Sequence, residues 1–208
     1  MFAALAVVDR QGPEALTIRS VARQVGAPPM SLYTHFANKD ELMDLMVGEI
    51  VRHLYRDNAN ATWQSELEAV CRRIYAVLLE HPHWTQLLSR PTPSSDAPVR
   101  ERLLAMMVAD GMRPELAFSV FSSAMVSTVG LVMAEHTLNG QAQQERRYQN
   151  LKDWSAATTE NPITREAMAS SAQFVMQEVF DVTLRSLVRG FEAMARDASI
   201  ESPAEKRA

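Results

Sequence analysis

Residues 16–42 are LTIRSVARQVGAPPMSLYTHFANKDEL, two short helical patterns separated by a glycine. Thr17 is placed to cap the first helix, because its hydroxyl can accept a hydrogen bond from an unpaired amide in the first turn. Gly26 supplies the turn, since glycine adopts a positive φ without steric cost. The second helix is expected to begin at the Pro28–Pro29 pair, where a missing amide does no harm, and to run to about His35. This stretch therefore predicts two short helices joined by a tight turn.

The rest of the chain is also predicted to be helical, because apolar residues recur at spacings of three and four and no segment shows sustained alternation with β-branched residues. A first helix is expected from Phe2 to Arg10. Asn38 should cap a long fourth helix and Thr62 a fifth. The inner side of the second helix is expected to comprise Val21, Ala22 and Val25. The inner stripe of the fourth is expected to comprise Leu42, Leu45, Met46, Ile50 and Leu54. The fold class predicted is all-α.

Composition is typical of a soluble globular protein. Of the 208 residues 47% are hydrophobic and 22% charged, with a mean hydropathy of -0.16, which argues against global disorder and against a membrane protein. The net charge is -4, yet the first 39 residues carry four basic side chains against two acidic ones. The amino end is thus the part suited to approach phosphates. A single cysteine, Cys71, excludes an internal disulfide and favours a cytoplasmic location.

Residues 116–134 form an uncharged stretch of 19 residues, long enough for a membrane-spanning helix to be considered. The stretch contains several hydroxyl side chains, and it lacks a lysine or arginine bias and an aromatic belt at its ends. We therefore expect no membrane partner. The better account is a helix buried on all sides, in contact with the core, a ligand or a second subunit.

The carboxy-terminal half is expected to contain a proline-rich link over 89–98 and a final helix from about Ala172 to Arg196. Between them, residues 139–171 are polar and contain a candidate amphipathic helix that uses Tyr148, Leu151 and Trp154. The final helix is apolar on two sides, of which one suits the core and the other a second subunit. One side carries Met176, Phe180, Leu187, Phe191 and Met194, and the other carries Val175, Val179 and Val182.

Two motifs connect the opening stretch to a known family. Leu32 to Lys39 follow the pattern Leu-Tyr-x-His-Phe-x-Asn-Lys, after Val-Ala-x-x-Val-Gly at 21–26. Two short helices joined by a glycine turn are typical of a helix-turn-helix, which places its second helix in the DNA major groove. The stretch closely resembles the DNA-binding domain of the TetR family of repressors. The resemblance covers the first quarter of the chain strongly and the rest by helical layout.

The resemblance implies a set of base-reading residues. Arg19 would read a base from the second helix, and its forked donors suit guanine O6 and N7. Pro29, Met30 and Ser31 would lie on base edges at the start of the recognition helix. Proline and methionine offer no useful donors, so we expect them to contact thymine methyl groups, which leaves Arg19 and Ser31 for polar readout.

The resemblance also implies phosphate contacts from Tyr33, His35, Lys39 and Thr17, which would set the register on the duplex. Other roles remain open for three of these. Tyr33 and His35 could be local packing residues, and Lys39 a solvated charge. Leu32 and Phe36 are expected in the core.

The expected domains are a helix-turn-helix DNA-binding domain over residues 1–54, with the fourth helix as connector, and a helical ligand-binding and dimerisation domain over residues 55–197. A disordered tail is expected over residues 198–208. Pockets between helices bind largely apolar effectors, and methionine adapts to irregular cavities. The candidate effector-binding residues are Trp84, Met107, Phe118, Phe121, Ser122, Met125, His136 and Phe174.

Enzyme, cofactor and metal chemistry find little support in the sequence. The seven glycines form no nucleotide-binding loop, and no triad or paired carboxylates can be argued, so we expect neither an enzyme nor a cofactor. His81 and His83 flank a proline but lack a second pair of ligands, which argues against a metal site. Cys71 falls on an apolar helical face and is expected to be an inert core thiol.

What the resemblance implies is a ligand-responsive regulator of transcription, most simply a repressor. It would bind a palindromic double-stranded DNA operator as a homodimer, with recognition helices about 34–36 Å apart, and a small-molecule effector would release it. Two other classes stay open, a helical small-molecule carrier or enzyme on a borrowed fold, and an architectural DNA-binding protein without a ligand.

Overall fold

The computed structural model describes residues 2–54, 61–88, 97–139, 162–163, 166 and 176–201, and no β-strand occurs among them. The all-α prediction is confirmed. A short 3-10 turn, Pro13–Ala15, follows the first helix. The helices are α1 Phe2–Gln11, α2 Ile18–Val25, α3 Pro29–Leu32, α4 Lys39–Leu54, α5 Trp63–Glu80, α6 Trp84–Leu88, α7 Ala97–Ala109, α8 Pro114–Asn139 and α9 Met176–Glu201.

The helix ends near the amino terminus are fixed by the caps that the sequence predicts. Thr17 Oγ1 accepts a hydrogen bond from the Ser20 amide at 3.0 Å, and Ser20 Oγ accepts one from the Thr17 amide at 2.8 Å, so α2 begins with a reciprocal capping box. Gly26 ends α2 with a φ of 67°, in the left-handed region that favours glycine. Asn38 Oδ1 accepts from the Glu41 amide at 2.9 Å and caps α4.

The amino-terminal core forms between α1, α2 and α4. Its largest fully buried side chains include Val8, Leu16, Leu42, Met46 and Ile50. Two residues predicted to lie inside do not, because Val25 is 48% exposed and Leu45 42% exposed. Both line an open groove of about 450 Å³ bounded by α1, α2, α3 and α4. The helical period groups them with the core, but the packing of α1, α2, α3 and α4 leaves this side uncovered.

The helices that follow α4, here called the body, have a second core built from α5, α7, α8 and α9, with α5 packed along α8. Thr62 caps α5 by accepting from the Ser65 amide at 3.3 Å, as predicted. Leu67, Cys71 and Leu78 on α5 are fully buried. Three partly buried side chains pack against both this core and the amino-terminal one: Ile74, Trp84 and Leu88.

Helix α8 is not buried on all sides. Ala117, Val120 and Val132 are fully buried, but Val126 is 73% exposed, and Phe118 and Met133 are exposed as well. Apolar composition alone cannot separate a core face from a face awaiting a partner, and the prediction of burial all round is wrong for the single chain. By length and composition α8 could cross a membrane, a property that core helices of soluble proteins share.

The final helix begins at Met176 and continues to Glu201. Met176 and Phe180 are buried, whereas Met194, on the same predicted side, is exposed. Residues 198–201, expected in the tail, are helical, and no proline or glycine interrupts them. Residues 202–208, most of the link over 89–98 and the expected amphipathic helix at 148–154 lie outside the described residues.

Candidate nucleic-acid interface and effector cleft

Every side chain assigned to DNA contact lies on α2, on α3, in their flanking turns or at the first residue of α4. Seven of the eight are exposed, and Lys39 is half-buried. They are Thr17, Arg19, Pro29, Met30, Ser31, Tyr33, His35 and Lys39. The outside of two short helices is the part of a helix-turn-helix that reaches a groove, so exposure is the property that this role requires of these residues.

The recognition segment is shorter than predicted, since α3 ends at Leu32 instead of near His35. Ser31 Oγ donates to the Pro28 carbonyl at 2.7 Å, and Thr34 Oγ1 donates to the Ser31 carbonyl at 2.7 Å. Such side-chain bonds to the backbone compete with the helical ladder. The His35 amide bonds the Leu32 carbonyl at 2.9 Å, the spacing of a 3-10 turn. One helical turn and a tight turn therefore present Met30, which is 76% exposed.

The charged and polar groups of this surface differ in how firmly they are held. Arg19 is exposed and makes no side-chain hydrogen bond or ion pair within the described ranges, so its five donors are available. Lys39 Nζ instead donates to the Pro13 carbonyl at 3.3 Å, which makes it a held group and not a freely solvated charge. Thr17 Oγ1 acts as an acceptor in its cap, so its hydroxyl proton remains available to donate.

The packing residues of the motif lie as the sequence predicts. Phe36 is buried and Leu32 half-buried against the amino-terminal core. Tyr33 is exposed, and local packing does not account for it. His35 lines the apolar groove beside Val25, so one edge of its ring meets protein while the residue stays exposed.

The residues proposed to bind an effector differ in their burial. Met107 and Phe121 are buried within the packed core, and Phe118 is exposed on the outer face of α8. Ser122 and Met125 are half-buried. Trp84 stacks on His81, with ring centroids 3.9 Å apart, and Phe174 lies outside the described residues. The sequence shows which residues are large and apolar, but not which of them are buried in the core and which line a pocket.

His136 is the predicted residue that does line a cleft. This cleft, about 440 Å³, lies between α6 and α8 and is lined by Pro82, Thr85, Gln86, Met133, His136 and Thr137. His136 Nε2 lies 2.9 Å from the Leu78 carbonyl. A carbonyl can only accept, so Nε2 carries the proton, and Nδ1 of the neutral ring is an acceptor. The cleft thus combines apolar surface with a few polar groups.

Comparison with known proteins identifies the family. The model described as "Bacterial regulatory proteins, tetR family" matches residues 2–46, and the model described as "Tetracyclin repressor-like, C-terminal domain" matches residues 57–195. The chain belongs to the TetR family of bacterial regulatory proteins. This confirms the resemblance seen in the sequence and shows a transcriptional regulator with a helix-turn-helix reader.

Individual relatives cover nearly the whole regulator. The HTH-type transcriptional repressor DrrR1 of Streptomyces coeruleorubidus is 30% identical over 87% of this chain and 67% of its own length. The tetracycline repressor protein class D of Escherichia coli is 29% identical over 91% of this chain and 86% of its own. Among solved structures, apo ActR from Streptomyces coelicolor superposes with a TM-score of 0.77 at 22% identity, covering 95% of this chain and 94% of that one.

In this TetR-family regulator α6 connects the cleft to the reader. Pro82, Thr85 and Gln86, in or just before α6, line the cleft together with residues of α8. Helix α6 also contacts α4 and the 3-10 turn after α1. His81, just before α6, approaches Asp9 of α1 with Nδ1 3.0 Å from Oδ1. His83 packs beside Gly12. A displacement of α6 would therefore reach the reader through packed side chains.

The body of the regulator also contains a polar network across α5, α8 and α9. Arg72 binds Glu68, with Nη2 2.8 Å from Oε1, and it also bonds Asp181. The hydrogen bond from Arg72 holds the pKa of Asp181 below its usual range. Tyr75 donates to Glu135, and burial, together with that carboxylate, raises the pKa of the phenol. These contacts join helices that the sequence places far apart.

Sequence patterns did not reveal the groups that link the reader to the body. The Asp9–His81 contact joins residues 72 positions apart, and the cleft residues Gln86 and Thr137 carry no motif. The signal for His81 was its neighbouring proline, which marks the end of α5. No periodicity relates a helix of the reader to one of the body, so these pairs emerge from the tertiary structure.

Proposed function

We propose that this TetR-family protein is a homodimeric, ligand-responsive repressor that binds a palindromic operator and releases it when a small, largely apolar effector binds. The observation that carries the proposal is the exposure of Arg19 on α2 and of Met30 and Ser31 on α3, within the helix-turn-helix. We assign residues 1–54 to DNA binding and 55–197 to effector binding and dimerisation, in the cytoplasm. One hydrophobic core is built mainly from residues before 55 and the other from residues after it, which supports this division.

Base readout is assigned to the exposed groups by their donors and acceptors. Arg19, with all its donors available, suits guanine O6 and N7. Ser31 donates its hydroxyl proton to the Pro28 carbonyl, so its oxygen can accept a hydrogen bond from a base amino group. Pro29 and Met30 would contact thymine methyl groups. Thr17, Tyr33, His35 and Lys39 would hold phosphates and fix the register.

Dimerisation is assigned to the uncovered apolar faces of the two long helices. Val126 on α8, and Val182 and Met194 on α9, are exposed in the single chain. Each helix has 26 residues and is therefore about 39 Å long. A second copy related by a twofold axis would cover both faces at once, since such interfaces are self-complementary.

Effector binding is assigned to the cleft between α6 and α8. Its apolar lining from Pro82 and Met133, with acceptor Nδ1 of His136, suits a largely apolar molecule that carries a hydroxyl or other donor. Related folds have been solved with small organic molecules, ActR with actinorhodin and an Acinetobacter baumannii TetR variant with minocycline. An occupant that moves α6 would shift α4 and change the distance between recognition helices. A differential affinity of about 3 kcal/mol between the two arrangements changes operator binding roughly a hundredfold.

The experiment is selection of bound sequences from a random duplex library, with the wild-type protein, Arg19→Ala and Arg23→Ala. The wild type should enrich an inverted repeat, and Arg19→Ala should lose the preference for one guanine in each half-site, at a cost of about 1–3 kcal/mol for that base. Arg23, an exposed arginine on the same helix, is the matched control and should keep the preference. Failure of a folded dimer to enrich any sequence would refute the assignment.

A further inference from the structure

The carboxyl end of α4 is held by an arginine of the body. Arg73 Nη1 donates to the Leu54 carbonyl at 2.8 Å, and Leu54 is the last residue of α4. The carboxyl end of a helix is the negative pole of its dipole. A guanidinium is well suited to this end of α4, because it supplies both a hydrogen-bond donor and a positive charge. Arg73 thus links α4, the helix that follows the recognition segment, to α5.

Arg73 is itself oriented by groups on α5. Its Nε donates to the Ala69 carbonyl at 3.1 Å, and Nη2 lies 3.9 Å from Glu66 Oε1. Glu66 is 1% exposed, and Oε1 has no hydrogen-bond partner within the described structure. A buried carboxylate requires a nearby positive charge, and Arg73 supplies it. Three nitrogens of one planar group therefore face three different partners, which a lysine ammonium on a flexible chain cannot reproduce.

Because α4 has 16 residues, it is a lever about 24 Å long from Leu54 to the reader. A rotation of about 8° at the Leu54 end would move the other end by about 3.4 Å, the rise of one base pair. We propose that Arg73, held by Glu66, is a positioning residue that sets the angle of α4 on the body, and thereby the half-site spacing that the dimer accepts. The inference rests on the proposed function.

The test measures how strictly spacing is selected. Duplexes carry the operator selected by the wild type, or the same half-sites with one central base pair added or removed, and the Kd is measured for each. The wild type should bind altered spacings about tenfold more weakly, comparable with a mismatched base pair. Arg73→Met should reduce this ratio to about threefold or less while keeping the base preferences, since the reader is unchanged.

Three further variants separate positioning from folding. Arg73→Lys keeps the charge beside Glu66 but not the three-way geometry, so it should also relax spacing. Glu66→Gln combined with Arg73→Met removes the unpaired buried charge, so it should melt at a higher temperature than Arg73→Met alone and still show relaxed spacing. Arg52→Ala, which removes an exposed ion pair with Glu49 on the same helix, is the matched control and should keep the wild-type ratio.

The outcomes distinguish the two proposals. If the wild type enriches no operator, the proposed function is refuted and this inference with it. If the wild type discriminates spacing and the double variant, folded, discriminates equally well, the positioning role of Arg73 is refuted and the proposed function stands. Relaxed spacing in both Arg73 variants and the double variant, with Arg52→Ala unchanged, supports the role.

Discussion

Cys71 shows how one side chain's chemistry follows from its place on a helix. It lies fully buried on α5, and burial raises the pKa of its thiol to about 11. The thiolate is the reactive form, and a free cysteine has a pKa of about 8.5. At pH 8 the native thiol should therefore react with a disulfide reagent at least about a hundredfold more slowly than an exposed one. The measurement is colour release from the native protein.

Unfolding in guanidinium provides the control for Cys71, because it should expose one reactive thiol per chain. Rapid release from the native protein would contradict its burial. The apolar spacing around Cys71 was sufficient to predict its position. The same apolar spacing predicted that Val25 and Leu45 are buried, which is wrong. Spacing identifies the apolar face of a helix, but it does not show whether another helix covers that face.

At the level of helices, Arg72 and Asp181 join α5 to α9. The hydrogen bond from Arg72 lowers the pKa of Asp181. Its stabilising effect is present above the unfolded pKa of about 3.9 and is lost as pH falls through the folded value. Asp181→Asn should thus lower the free energy of unfolding at pH 7 by about 0.5–1 kcal/mol. The effect is small because the side chains of Arg72 and Asp181 are 39% and 34% exposed, and solvent screens such a pair. The difference should shrink toward pH 2, as measured by denaturant titration.

Arg72→Gln supplies the second arm of this experiment. In that background Asp181→Asn should have little effect at any pH, because the partner is gone. A pH-independent difference in the wild-type background would instead show that Asp181 acts by packing. The apolar periods of the sequence predicted α5 and most of α9. The sequence also predicted the caps of α2, α4 and α5 at Thr17, Asn38 and Thr62. It did not predict this pair, because a separation of 109 residues leaves no periodic signal.

At the level of the molecule, the exposed apolar residues of α8 and α9 provide a test of the proposed dimer. Val126→Glu should convert the dimer to monomers at micromolar concentration, because each interface would bury an unpaired carboxylate at a cost of several kcal/mol. Sedimentation velocity measures the change. Val108→Glu is the matched control, an exposed valine on α7, and should leave the dimer intact. A dimer that survives Val126→Glu would place the interface elsewhere.

The helix-turn-helix and its exposed residues were predictable because capping, glycine turns and a specific local motif act over a few residues. The cleft between α6 and α8 was not, because it is formed by side chains that distant helices leave uncovered. Of the eight effector candidates His136 lines this cleft, together with Gln86 and Thr137, which carry no motif. A large apolar residue such as Met107 fills the core as readily as it lines a pocket, and only tertiary packing decides between them.

Ile74, Trp84 and Leu88 belong to both hydrophobic cores, and this bears on modularity. A reader cut after residue 54 would leave the apolar surface that receives Trp84 and Leu88 bare. Recombination between relatives at that point would join a reader to a foreign α6. The natural unit of exchange therefore extends through Leu88, so chimeric regulators should inherit α5 and α6 together with the DNA-reading helices.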